Sequence, residues 1–136
     1  MKDLSLHILD ICDNSIKSGA TKISVKIIED RETLTLEIED NGCGMDDETL
    51  KKAISPFYST KKTSKFGLGL PLLKQASEAT GGNLKVKSEI GKGTKVTAKF
   101  FKNHIDMKPI GDINSTLVSL QKANPQIEFE FEYIEK

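Results

Sequence analysis

The chain has 136 residues, of which 37% are apolar and 29% are charged, and its 20 Lys and Arg residues balance its 20 Asp and Glu residues. This length and composition suit one soluble globular domain rather than a disordered chain, and the zero net charge argues against a strongly basic nucleic-acid binder. Apolar runs stay well short of the about 20 residues that span a membrane, and two cysteines are too few for a disulfide framework, so we expect a cytoplasmic protein without nucleic-acid or membrane partners.

Hydrophobic periodicity predicts helices and strands along the first 100 residues. Asp3 can cap a helix with an apolar stripe, and Gly19 is a plausible stop for that helix. This pattern favours an α+β fold in which helices cover one face of a mixed, largely antiparallel sheet. In chain order we predict a helix at about 3–18 and strands at 21–29 and 34–38. A short helix at 46–53, a loop at 54–66 and a helix at 67–80 follow, and then strands at 84–86 and 96–100.

The segment 101–136 changes character. It holds a candidate helix over Asp112–Ala123 and a final stretch in which apolar residues from Ile127 to Tyr133 alternate with glutamates. The alternation predicts a strand with one aromatic face and one acidic face. This strand either adds to the edge of its own sheet or pairs with a partner or a second copy, which leaves a homodimer through the C-terminal strand as an alternative.

Three polar clusters carry the functional signal, and the first lies on the predicted N-terminal helix. Asp10, Asn14 and Lys17 are spaced i, i+4 and i+7, which places them on one helix face. A carboxylate and an amide are suitable ligands for Mg²⁺, and a lysine is suitable for phosphate. The same spacing also fits an ordinary solvated helix face, so this cluster alone leaves both interpretations open.

Glycines mark the other two clusters. Asp40, at a predicted strand end, is followed by Gly42 and Gly44, which fits either a simple turn or an acceptor beside bare backbone that a flat ring can approach. Gly67 and Gly69 open a predicted helix, where backbone amides and the helix dipole favour phosphate. The alternative for this third cluster is a glycine-rich hinge.

The order and spacing of these clusters resemble the GHKL ATP-binding superfamily, which includes histidine-kinase catalytic domains, anti-sigma-factor kinases, DNA gyrase B subunits and the Hsp-ninety chaperones. The resemblance covers roughly residues 4–100. It implies the Bergerat two-layer α/β sandwich over 1–100, with 101–136 as an extension packed on or beside the same domain. The matched motifs are, in family order, Asp10–Asn14, Asp40–Gly44, the lid segment Ser55–Lys61, Phe66–Leu70 and Gly91–Thr94.

The resemblance also implies a role for each matched residue. Asp40 would accept a hydrogen bond from the adenine amino group, and Thr94 and a water would complete that contact. Asn14 would hold a Mg²⁺ ion that bridges the phosphates, while Lys17 and one lid lysine would contact phosphate. That lid lysine would be Lys61, Lys62 or Lys65. Six residues would place their backbone close to the ring or the phosphates: Gly42, Gly44, Gly67, Leu68, Gly69 and Leu70.

Asp10 stands where ATP-hydrolysing members and anti-sigma kinases carry a glutamate general base, and its shorter side chain leaves its catalytic role open. The expected function is a stand-alone ATP- and Mg²⁺-binding domain in regulation that phosphorylates a protein partner, such as a sigma factor or a response regulator. The alternatives are a nucleotide sensor without catalysis and a simple ATPase. Since no hairpin with a phosphoacceptor histidine precedes the first helix, we do not expect a complete sensor histidine kinase.

Overall fold

The structure is a computed structural model that describes residues 3–55, 69–104, 107 and 110–136. Its described residues form four helices and five strands. Helices α1 to α4 span Leu4–Lys17, Asp47–Ile54, Gly69–Ala79 and Ile113–Ala123, and strands β1 to β5 span Lys22–Glu29, Thr33–Asp40, Asn83–Glu89, Gly93–Phe101 and Glu128–Glu135. No helix in this part of the chain is both long and apolar enough to cross a membrane.

The strands form one sheet in the order β3-β4-β2-β1-β5. Neighbouring strands are antiparallel except for β1 and β5, which are parallel. The predicted α+β class with a mixed, mostly antiparallel sheet is confirmed. The core lies between one face of this sheet and the helices, as the alternation within the strands requires. Its buried strand residues are Ile23, Val25, Ile27, Leu34, Leu36, Ile38, Val96, Ala98 and Phe100.

Local side-chain chemistry sets the start of α1. The Asp3 carboxylate accepts the backbone N–H of Leu6 at 3.0 Å and the hydroxyl of Ser5 at 2.6 Å. These bonds, led by the one from Ser5, lower the pKa of Asp3 and satisfy donors that a helix start leaves open. The helix then buries one apolar stripe and ends before Gly19, whose φ is +83°.

The C-terminal segment packs onto the same sheet and helices. Strand β5 pairs in parallel with β1, so pairing within the chain, the first alternative for the terminal strand, is confirmed. Helix α4 packs against α1, and the Gln121 side-chain amide donates to the Ile127 carbonyl at 2.8 Å. The carbonyl of Ile110 also accepts the Ser5 N–H at 3.0 Å. The boundary at residue 100 and the homodimer remain predictions.

A hydrogen bond from Tyr133 links β5 to the end of β1. Its hydroxyl donates to the carboxylate of Glu29, which also pairs with the ammonium of Lys102. The bond to Glu29, followed by burial, raises the pKa of Tyr133 from 10.0 to about 12. A folded-state pKa above the unfolded value means that the stability contributed by this contact is complete below pH 10.0 and is lost as the pH approaches 12.

In a Tyr58→Phe variant, where Tyr133 is the remaining tyrosine, we expect phenolate absorbance to rise near pH 12 in the folded protein. The same variant unfolded in urea should titrate near pH 10. Circular dichroism during the titration shows whether the protein is still folded at each pH. A midpoint near 10 in the folded protein would contradict the hydrogen bond to Glu29.

Candidate functional site

The carboxylate of Asp40, the last residue of β2, is held by two donors. The Ser15 hydroxyl donates to Asp40 Oδ2 at 2.6 Å, and the Gly42 N–H donates to Oδ1 at 2.9 Å. Ser15 is buried on α1, and its carbonyl accepts the hydroxyl of Ser18 at 2.7 Å. Since a carboxylate has about four lone-pair sites, the fixed carboxylate retains acceptor capacity for a further donor.

Asp40 lines a cavity between α1 and the ends of β2 and β4. Thr94 lies directly opposite Asp40 in the β2–β4 register and also faces this cavity. Its lining combines apolar walls with a few polar groups, as small-molecule sites usually do. The lining residues are Ile11, Asn14, Ser15, Ser18, Asp40, Gly44, Met45, Leu70, Thr94 and Val96.

Asn14 presents a buried amide nitrogen that has no hydrogen-bond partner among the described residues. Leaving such a group unsatisfied costs about 1–3 kcal/mol, so the side chain is suited to a polar ligand. Gly69, the first residue of α3, lies close by: a Cβ added there would be 3.5 Å from Asn14 Nδ2 and 3.3 Å from the Cβ of Asp10. The first residue of α3 therefore lies beside Asp10 and Asn14, and backbone N–H groups at a helix start favour an anion.

The site offers two kinds of polar group. Asp40 and Thr94 offer hydrogen-bonding groups beside apolar lining residues, a combination that suits a planar heterocycle. Asn14 offers an amide oxygen, a ligand type that Mg²⁺ accepts alongside phosphate oxygens and water.

Two predicted glycines allow close packing beside Asp40. A Cβ on Gly42 would overlap the hydroxyl of Ser18, so this backbone lies directly against α1. Gly44 has φ +73°, and a Cβ there would overlap the carbonyl of Glu89. Glycine is therefore required at both positions by space, and at Gly44 also by backbone conformation.

Ser88 links Thr94 to the segment that leads into α2. Its hydroxyl lies 2.8 Å from the Thr94 hydroxyl and accepts the Met45 N–H at 2.8 Å. Ser88 also contacts the Gly93 carbonyl at 3.2 Å. A change in the hydrogen bonding of Thr94 would therefore reach Met45 through one side chain.

Ser15 and Ser88 were not predicted as site residues, although the sequence around each carries a detectable signal. Ser15 continues the buried stripe of Ile8 and Ile11 on α1, and Ser88 continues the inward alternation of β3 after Val86. A hydroxyl in a line of apolar residues indicates a buried polar partner.

Other predicted residues lie elsewhere. Lys17 does not line the cavity, because its ammonium pairs with the Asp13 carboxylate at 2.9 Å and is largely exposed. Lys61, Gly67 and Leu68 fall outside the described residues. Their predicted phosphate contacts remain predictions.

The two cysteines differ sharply in environment. Cys12 is fully buried, and desolvation, followed by the negative charge of Asp40, raises the pKa of its thiol to about 12. It therefore stays a neutral core side chain at physiological pH. Cys43 is exposed in the glycine segment that follows β2.

Comparison with known proteins gives one consistent family. A model of the histidine kinase-, DNA gyrase B- and HSP90-like ATPases matches residues 2–104. Sensor kinase CckA of Brucella abortus is 36% identical over 85 residues, which are 62% of this chain and 9% of that protein. Sensor histidine kinase WalK of Bacillus subtilis is 31% identical over an alignment of 106 positions, which covers 71% of this chain and 17% of that protein.

A shorter relative matches over most of its own length. The anti-sigma F factor of Clostridium acetobutylicum is 34% identical over an alignment of 104 positions, which covers 71% of this chain and 67% of that protein. The chain thus spans a small part of the sensor kinases that it resembles and two thirds of this anti-sigma factor.

Proposed function

Because the chain belongs to the family of histidine kinase-, DNA gyrase B- and HSP90-like ATPases, we propose that it binds ATP beside Asp40 and acts in regulation. The observation that carries the proposal is the carboxylate of Asp40, which Ser15 and Gly42 hold at the wall of the cavity. A preorganised acceptor can bind the amino group of adenine without first reorienting, and Thr94 lies opposite to share that contact.

The phosphate end of the proposed site is formed by α1 and α3. Asn14 would hold Mg²⁺ through its amide oxygen, and the first turn of α3 would direct backbone N–H groups at phosphate oxygens. Bound ATP supplies a transferable phosphoryl group, and the cation neutralises its charge. The unpartnered amide nitrogen of Asn14 supports a phosphate at this end, because a phosphate oxygen would accept its N–H.

Phosphoryl transfer to a hydroxyl on a partner protein is the proposed reaction. Asp10 lies one helical turn before Asn14 on α1, and its Cβ lies next to Gly69. Its carboxylate is the proposed base for the proton of an attacking hydroxyl. The matching anti-sigma F factor supports a regulatory partner, and a sigma factor or a response regulator would be suitable.

A nucleotide sensor without catalysis is the second candidate. The hydrogen bonds from Thr94 through Ser88 to the Met45 N–H favour it, because they connect the adenine end of the cavity to the segment before α2. Binding that shifts this connection would change the surface seen by a partner without consuming ATP.

Asp10→Asn separates these candidates. If Asp10 is the base, ADP formation, measured with Mg²⁺ and ATP in excess, should fall about 10²- to 10⁴-fold while ATP affinity is kept. Asp30→Asn is the matched control, because Asp30 is exposed in the turn between β1 and β2, does not line the cavity and should leave the rate unchanged.

Turnover that is the same in wild type and in Asp10→Asn would exclude Asp10 as the base. A wild-type protein that binds ATP but forms no ADP, alone or with a substrate protein, would favour the sensor.

A further inference from the structure

The two outer edges of the sheet carry opposite charges on the face turned away from the helices. At the β5 edge the side chains of Glu128, Glu130 and Glu132 are 64%, 53% and 61% exposed. At the β3 edge, Lys85 and Lys87 occupy the alternating positions on that same face and are exposed. The β5 edge is therefore acidic on this face. The β3 edge carries two lysines there, followed by Glu89, which pairs with Lys92 at 3.6 Å.

Neighbours within the chain compensate the two edges unequally. Lys22 lies 3.6 Å from Glu128 and 3.3 Å from Glu130. Lys26 lies 3.6 Å from Glu132, so two lysines of β1 partly neutralise three glutamates. Lys85 and Lys87 have no carboxylate within 4.0 Å among the described residues. These two ammonium groups are therefore available to a carboxylate from outside the molecule.

Backbone groups are also free at the β5 edge. The N–H groups of Glu128 and Lys136 point toward β1 and donate to the carbonyls of Thr21 and Glu29. Because N–H direction alternates along a strand, the N–H groups of Phe129, Phe131 and Tyr133 point away from β1, to the side where no described strand lies. An unpaired row of this kind is a template for another strand.

A symmetric contact between two β5 strands does not suit this edge. If two copies paired through β5 as one continuous sheet, the acidic rows would lie side by side on the same face. Like charges on neighbouring positions of paired strands are destabilising. This argues against the homodimer through the C-terminal strand.

The β3 edge of a second copy does suit the acidic β5 edge. Strands β5 and β3 run in opposite directions in the sheet, so two copies in the same orientation would bring β5 and β3 together as an antiparallel pair. A register that places Lys85 opposite Glu130 and Lys87 opposite Glu128 also brings the inward-facing Leu84 and Val86 opposite Phe131 and Phe129. Charge and apolar faces then match at the same time.

Exposed apolar surface beside β5 supports such a contact. A groove between α4 and β5 includes Val118 and Phe131, which are 53% and 38% exposed. Tyr133, farther along the same face, is 39% exposed. A neighbouring strand and the helix above it would cover this surface.

We propose that this chain associates with further copies of itself head to tail, through the acidic β5 edge of one copy and the basic β3 edge of the next. The contact is heterologous, so it leaves one edge free on each terminal copy and allows growth beyond a dimer. Its ion pairs are exposed, so salt should weaken it.

The test uses two charge-reversed variants of the full chain, Glu128→Lys/Glu130→Lys and Lys85→Glu/Lys87→Glu. Sedimentation velocity over rising concentration should show salt-sensitive species larger than a dimer for wild type and monomer for each variant alone. An equal mixture of the variants should associate again, because each then meets an edge of opposite charge. Circular dichroism checks that both variants remain folded.

Recovery in the mixture distinguishes edge pairing from misfolding, since a misfolded variant could not restore association. Lys122→Glu on α4 is the control for a change in net charge and should associate like wild type. A wild-type protein that stays monomeric at all concentrations and salt levels would overturn the proposal. So would association that persists in either variant alone, or a mixture that stays monomeric.

Discussion

Asp40→Asn is expected to weaken ATP binding by roughly 1–3 kcal/mol, or about 5- to 150-fold, because the change removes a charged acceptor. The geometry adds a second effect. Ser15 and Gly42 both donate to this carboxylate, and an asparagine offers one acceptor oxygen in place of two. The single amide oxygen would accept the Gly42 N–H, which leaves less acceptor capacity for the amino group of adenine.

Isothermal titration calorimetry with ATP and with ADP measures this loss. The two nucleotides should lose equal affinity, with or without Mg²⁺, because the missing contact is at the base. Glu39→Gln is the matched control: it removes a neighbouring carboxylate that is exposed beside Asp40 on the same strand and should bind ATP like wild type. Unchanged ATP affinity in Asp40→Asn would show that adenine binds elsewhere.

Local signals in the sequence account for most of the fold. Asp3, Asp46 and Asp112 each accept an N–H from the first turn of a helix, so the predicted helix starts correspond to physical caps. The apolar alternation over 21–29 and 96–100 reflects strands that bury one face only. Such signals depend on a few consecutive residues and are readable without knowledge of the rest of the chain.

Contacts between distant segments were harder to predict. The alternation around Phe129 indicates a strand, but it fits any sheet edge and cannot select the parallel pairing with β1. The position of Thr94 opposite Asp40 likewise depends on strand register, and here it was expected from the family resemblance rather than from spacing. Ser15 became meaningful once the structure showed which carboxylate it contacts.

Lys17 shares a helical spacing with Asp10, and its predicted phosphate contact remains a prediction. The i, i+7 relation to Asp10 indicated a shared face, but Asp13 lies four residues before Lys17 and pairs with it at 2.9 Å. Asp and Lys at i and i+4 attract each other on any exposed helix, independently of a ligand. A phosphate contact from Lys17 would need the side chain to leave this pair.

Gly93→Ala is expected to lower the free energy of unfolding strongly and to weaken ATP binding. Gly93 has φ +110°, and a Cβ there would overlap the Asp40 carbonyl oxygen, with the Cα of Asn41 at 2.9 Å. The left-handed conformation costs an alanine about 1–2 kcal/mol. Crowding against β2 adds about 1–3 kcal/mol, because the backbone behind Asp40 must shift.

Gly91→Ala separates these two contributions. Gly91 lies in the same turn with φ +83°, but an added Cβ there meets no atom within 4 Å. Urea unfolding should therefore show only the conformational loss in Gly91→Ala and the larger combined loss in Gly93→Ala, and ATP should bind more weakly to the second variant than to the first. Equal stability and equal affinity of the two variants would mean that an added Cβ at Gly93 does not displace the backbone of Asp40. The position of the carboxylate would then depend on Ser15 and Gly42 alone.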